Sequence, residues 1–151
     1  MKLLQKIFFY ILILLLGNCG YEPMYSKKEG FNIGIQSYQI EGNKKIDRAI
    51  VSSLNLKNQI KKTGYRLIIK SNKTLVAASK NSAGNISAYK TEVTVSVSLI
   101  DGNMVYKEKT FSSDFTYNNI KNKLDLSEYQ KNIEENLINK IVEEIFIFLT
   151  L

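Results

Sequence analysis

Between Glu92 and Leu99 every second residue is apolar: Val93, Val95, Val97 and Leu99 point one way, and Glu92, Thr94, Ser96 and Ser98 the other. A period of two predicts a strand with one buried and one wet face. Asp101-Gly102-Asn103 closes a hairpin, and Met104 to Phe111 returns beside the first strand, with Phe115 and Tyr117 as its continuation. Upstream, Tyr65, Leu67 and Ile69 alternate with Arg66, Ile68 and Lys70, Leu75 to Ala78 prolong that strand or start another, and Asn81 to Gly84 form a turn. Phe31, Ile33 and Ile35 alternate with Asn32, Gly34 and Gln36, and Tyr38 and Ile40 extend this first strand.

Two segments carry the helical period instead. Asn43 can cap a helix in which Ile46, Ala49, Ile50, Ser53 and Leu54 form one stripe, with Ile60 further on and Gly64 as its stop signal. Asp125 or Ser127 can start a last helix, with Glu128 or Gln130 completing a capping box, and Leu126, Tyr129, Ile133, Leu137, Ile141, Ile145 and Leu149 draw its apolar face to the chain end. The order β-α-β-β-β-α predicts an α+β fold, a two-layer sandwich whose mostly antiparallel sheet is covered on one face by two helices. Ile145 to Leu149 are apolar all round, which points to a second protein surface over the outer side of that helix end, with a helix end tucked into its own domain as the alternative.

The first residues follow neither period. Lys2 and Lys6 precede an uncharged run from Ile7 to Leu16, too short to span a bilayer as a stable helix and suited to a signal peptide. Leu16-Gly17-Asn18-Cys19 resembles the lipobox of bacterial lipoproteins; Asn18 departs from the Gly, Ala or Ser preferred before the cysteine. The expected organisation is a signal peptide over 1–18, a lipidated tether over 19–30 that holds the only proline, Pro23, and an α+β domain over 31–151. Cys19 is the only cysteine, so no internal disulfide can form, and an unpaired thiol at this place is expected to carry an N-acyl diacylglycerol lipid. Gly20 after the cysteine, where an Asp would favour retention at the inner membrane, implies the outer membrane, with the domain facing the periplasm.

Composition narrows the chemistry. The chain has 151 residues, 44% of them hydrophobic, and a formal charge of +7. Lys2 and Lys6 are the only charges ahead of Cys19, which leaves 19 basic and 14 acidic residues beyond it. A basic excess suits an anionic partner, and export favours anionic lipid over nucleic acid. There is no histidine, and no Gly-rich phosphate loop or Cys/His metal spacing. The usual nucleophile–base pair is missing, so a non-catalytic protein without a cofactor is expected. Glu134-Glu135 and Glu143-Glu144 are adjacent on a helix and diverge around its axis, which predicts a solvated face. Lys70, Lys73, Lys80 and Lys90 flank predicted strand ends and a turn, where ammonium groups can meet lipid phosphates; scattered solubilising charges are the plainer alternative.

Cys19-Gly20-Tyr21-Glu22-Pro23-Met24-Tyr25 is similar to the Cys-Gly-aromatic-x-Pro-Leu-Tyr opening of the LPS-assembly lipoprotein LptE family, its alphaproteobacterial branch above all, with Met24 in place of Leu. Tyr65-Arg66-Leu67, the Val93–Leu99 hairpin strand and Phe115-Thr116-Tyr117-Asn118 ahead of a long last helix continue the likeness. The resemblance implies a plug and folding partner of an outer-membrane β-barrel, LptD, that binds lipopolysaccharide and catalyses no reaction. It also implies a lipopolysaccharide contact at Lys90, where family members often carry Arg; Lys gives up the bidentate fork toward phosphate. The rival readings are an auxiliary lipid-binding lipoprotein of an ABC transporter and, further off, an envelope hydrolase with a carboxylate cluster. Replacing the lipidation residue tests the anchor: Cys19→Ala is expected to leave the membrane fraction and to take up no radiolabelled palmitate, and label entering the variant would sink the assignment.

Overall fold

The computed structural model describes residues 33–151; the signal segment, Cys19, the tether and Phe31 lie outside the described residues. The elements run β1 (Ile35–Gly42), α1 (Lys44–Ser53), β2 (Tyr65–Lys80), β3 (Ile86–Asp101), β4 (Met104–Asn118) and α2 (Lys123–Thr150), with one 3-10 turn at Leu56–Asn58. The strands lie side by side in chain order, β1 parallel to β2 and the others antiparallel. Leu67 and Ile69 of β2, Val93, Val95, Val97 and Leu99 of β3, and Phe111 and Tyr117 of β4 share one face and are buried under both helices. The architecture is the expected α+β sandwich, its sheet mixed through the single parallel pair.

The first strand hides a change of parity. Ile35 pairs with Tyr65, but Ser37 pairs with Arg66, so Gln36 is a bulge and the side chains beyond it swap faces. Tyr38 and Ile40 therefore join Ile35 on the helix side, opposite Leu67 and Ile69, although they stand at even positions and Ile35 at an odd one. Without the extra residue one of the two sets would face water.

β1 then stops abruptly. Gly42, at φ 134°, lies against the Ser71 backbone so closely that a Cβ would overlap the Ser71 carbonyl oxygen. Asn43 caps α1 as expected, its Oδ1 accepting from the Lys45 and Ile46 amides. Its own N–H donates to Ser71 Oγ at 2.9 Å, and that hydroxyl donates to Asp47 in the first turn. One serine of β2 thus ties the end of β1 to the start of α1.

Two helix boundaries differ from expectation. α1 ends at Ser53, well before Gly64, because Asn55 adopts a left-handed conformation (φ 50°) and Leu56 turns into the core. Gly64 instead packs against Gly34, where Tyr65 N–H reaches the Gly34 carbonyl at 2.8 Å. α2 starts earlier than either expected cap, with Asn122 Oδ1 accepting from the Leu124 amide. The C-terminal turns are divided: Ile145, Phe148 and Leu149 are buried in this domain's own core, where Phe148 meets Phe111 edge-on at 5.7 Å, while Ile147 leaves apolar surface on the outer side at 55% exposure. Lys107 fastens the same turn, its Nζ donating to the Phe148 carbonyl at 2.8 Å and lying 4.5 Å over the ring.

The contact at Gly42 yields a stability test. Gly42→Ala, with both a strained φ and a backbone overlap, is expected to cost at least about 3 kcal/mol. Gly84→Ala, at φ 82° in the β2–β3 turn with nothing within 4 Å, is expected to cost about 1 kcal/mol. Equal shifts in the urea midpoint would mean that the Gly42–Ser71 approach contributes nothing beyond backbone strain.

Candidate functional site

The two faces of the sheet differ in chemistry. On the face away from the helices, Ser96 meets Thr110 at 2.8 Å, Thr94 meets Ser112 at 3.3 Å, Ser98 donates to Glu108 at 2.8 Å and Ser112 to Glu92 at 3.0 Å. This ladder of cross-strand hydroxyl and carboxylate pairs leaves the surface hydrated and poorly suited to an apolar ligand.

The helix-side face is covered only in part. β1 reaches β2 no further than Ser71, while β2, β3 and β4 run on together to Lys80, Ile86 and Asn118. This distal end carries a tyrosine stack: Tyr89 lies 6.0 Å from Tyr117, and Tyr117 meets Tyr129 of α2 edge-on at 5.7 Å. The Tyr117 hydroxyl and Thr91 Oγ1 are 3.1 Å apart, so both buried hydroxyls are satisfied. Beside the stack, Phe115, Tyr117, Ile120 and Tyr129 line an open groove of about 420 Å³ between β4 and the first turns of α2. Phe115 is 47% and Tyr129 41% exposed, large aromatic surfaces left to solvent. Lys121 and Lys123 follow Ile120 in the sequence. An apolar, aromatic floor suits the hydrocarbon part of a ligand, and the nearby basic positions in the chain suit an anionic part.

The lysines singled out in the sequence do not form one cluster. Lys70 and Lys90 share the hydroxyl-rich face, but Lys70 sits opposite Ser96, six positions from Lys90 along β3, or about 20 Å. Lys70 lies 3.5 Å from Glu41, and Lys90 3.3 Å from Asp114. Both pairs are solvent-exposed and screened, so either lysine can exchange its carboxylate for another anion at little cost. Lys80 ends β2 at the distal tip, with no carboxylate within 4 Å among the described residues.

Lys73 points the other way, beneath the helices, and its Nζ donates to Glu134 Oε2 at 2.9 Å. Lys45 approaches the other oxygen of Glu134 at 3.5 Å and Glu135 at 3.8 Å. Glu134 is buried (6% exposed), which corrects the expected solvated face for this residue, while Glu135 remains at the surface. The signal was present in two patterns. Lys73 continues the inward row Leu67, Ile69, Ser71, and Glu134 lies one turn ahead of Ile138 and Val142 on a second apolar row of α2. A lysine facing inward from a sheet requires an acid on the element above it.

No protein-family model matches the chain, and no curated protein matches it. Solved structures do. Rare lipoprotein B from Shewanella oneidensis superposes with a TM-score of 0.56 at 13% identity, over 72% of this chain and 89% of that one. A chain from Caulobacter crescentus, also named a lipoprotein, gives 0.56 at 15% identity over 78% and 88%. Lipoprotein B from Nitrosomonas europaea gives 0.55 at 12% identity over 78% and 82%. The shared fold is one of bacterial lipoproteins. At identities this low the likeness is one of fold, and it spans nearly the whole of each neighbour.

Two further observations concern the described residues alone. No helix among them is long and apolar enough to cross a membrane, and no three His, Cys, Asp or Glu side chains among them converge as metal ligands. The groove and its tyrosine stack were missed in the sequence because Tyr117 and Tyr129 were legible only as core positions. An excess of tyrosine over tryptophan, 9 against none, was the available hint.

The buried ion pair generates the next expectation. Lys73→Ala leaves the Glu134 carboxylate with the exposed Lys45 alone and is expected to destabilise the fold by about 1–3 kcal/mol. Combining Lys73→Met with Glu134→Leu should recover most of that loss in a urea titration. A neutral Lys73→Ala would mean that water already satisfies the carboxylate.

Proposed function

We propose that this chain is an outer-membrane lipoprotein, anchored by a lipid on Cys19, that supports lipopolysaccharide assembly as the plug and folding partner of an LptD-like β-barrel. The observation that carries the reading is the distal end of the sheet. There the strands outrun β1, and an aromatic groove lies within the same end of the molecule as Lys80 and Lys90. Lipopolysaccharide presents hydrocarbon and phosphate together, and these residues offer a counterpart for each. The lipoprotein neighbours and the Cys19-Gly20-Tyr21-Glu22-Pro23-Met24-Tyr25 opening support the envelope setting.

In this reading the protein binds and positions and performs no bond chemistry. Lys80 at the tip and Lys90, on the opposite face of the sheet from the groove, meet phosphates as point charges, Lys90 releasing Asp114 as it does so, while Phe115 and Tyr129 cover part of an acyl chain on the helix side. The hydroxyl-rich face stays hydrated and suits the polar interior of a barrel. No cofactor is required beyond the covalent lipid.

Affinity purification of the full lipidated chain from detergent-solubilised outer membrane decides between this reading and its nearest rival. An LptD-like barrel carrying lipopolysaccharide is the expected companion. Recovery of an inner-membrane ABC transporter in its place would transfer the protein to the auxiliary class.

A further inference from the structure

We infer that the outer edge of β2 between Asn72 and Ala77 is a strand-addition site, which accepts an extended segment of a partner protein that carries apolar residues at alternate positions and carboxylates at its ends. β2 is an interior strand only as far as Ser71, where Gly42 closes β1. From Asn72 onward it remains paired to β3 on one side and, among the described residues, has no strand on the other. Alternate residues of such an edge direct an N–H and a C=O outward with no backbone partner.

Apart from the exposed Met104-Val105-Tyr106 start of β4, the side chains at this edge differ from those of the other edges. β1 is short and bulged at Gln36, and β4, after Tyr106, carries Lys107, Glu108, Lys109 and Asp114. Short length, bulges and charges are the devices by which sheets discourage further pairing. The free stretch of β2 has Leu75-Val76-Ala77-Ala78 instead, and its own bulges begin only past Ala77. Leu75 is 47% and Val76 51% exposed, although they point to opposite faces of the sheet. Leu75 lies on the helix-side face and Val76 on the open hydroxyl-rich face, and no neighbouring strand among the described residues flanks either.

That pairing of features identifies the occupant. A hydrocarbon surface could cover Leu75 or Val76 but would leave the edge amides and carbonyls without hydrogen bonds. Only an extended backbone satisfies the polar row, and apolar residues at its alternate positions then lie beside Leu75 while the polar ones between them join the hydroxyl-rich face beside Val76. Charge specifies it further. Lys73 is held by Glu134 and the exposed Lys90 beside Val76 pairs with Asp114, but Lys80 ends the free stretch with no carboxylate within 4 Å among the described residues, and Asn72 to Lys80 holds no acid. A partner strand with acidic ends complements this edge, whereas a second copy of the same strand would add two more lysines to it.

The test uses the full lipidated protein in detergent and a synthetic peptide, Glu-Thr-Val-Thr-Val-Thr-Glu, as the probe. Hydrogen exchange at alternate amides of Asn72 to Ala77 should slow by about tenfold with the peptide in excess. A version with proline at its central threonine should give no protection, and one with lysine at both ends should bind more weakly. Val76→Lys, at an exposed position, should lower peptide affinity about tenfold without moving Tm, because a lysine on an edge blocks further pairing. Unchanged exchange at these amides would overturn the proposal. So would equal protection by the proline peptide, or protection that appears without peptide and grows with protein concentration, which would assign the edge to self-association. None of these readouts depends on the identity of the envelope partner, so they stand or fall separately from the barrel assignment.

Discussion

The close approach of Gly42 to Ser71 sets most of what is distinctive in this fold. Only a residue without a Cβ can lie there, and the Ser71 hydroxyl then links the Asn43 amide to Asp47. The sheet loses its fourth strand at that point, and the first helix is launched over β1 and β2 in the same step. Everything beyond Ser71 on β2, the bare edge and the overhanging tip, exists because the chain leaves the sheet there. The Lys73–Glu134 pair sits one alternation further along, where the second helix replaces the cover that β1 and α1 no longer supply.

The distal end can therefore be understood as the part of the sandwich with incomplete layers. Proximally, two helices and four strands bury an ordinary aliphatic core of Ile, Leu and Val. Distally the same face is finished by aromatic residues, with Tyr89, Tyr117 and Tyr129 in contact and Phe115 left open. Tyrosine serves both purposes, since its ring covers the sheet while its hydroxyl finds Thr91 or water. A surface built this way keeps its shape without a ligand and still offers apolar area to one.

Much of the fold was legible in the sequence because local periods are strong where one face is buried. The β3 alternation, the Asp101-Gly102-Asn103 hairpin and the Asn43 cap all depend on neighbours within a few residues. The bulge at Gln36, the early stop at Asn55 and the length of β1 relative to β2 depend on contacts between distant segments, which no single-chain period encodes. The site was less legible for the same reason. Lysines close in sequence fall on opposite faces, because Lys70 and Lys73 differ by an odd number of residues, while Tyr117 and Tyr129 converge only through the packing of α2 on β4.

The parallel pairing of β1 with β2 also bears on how the domain assembles. The β2–β3 and β3–β4 connections are tight turns, whereas β1 and β2 are joined through α1, a connection roughly four times longer than the first of these turns and dearer to close by about 1 kcal/mol. The three-stranded meander is thus the portion that local contacts can nucleate, and β1 is the strand whose docking waits on it. In this order of assembly the N-terminal strand of the domain is the last to become rigid. The half-built domain keeps β1 undocked until the sheet it must join is already in place.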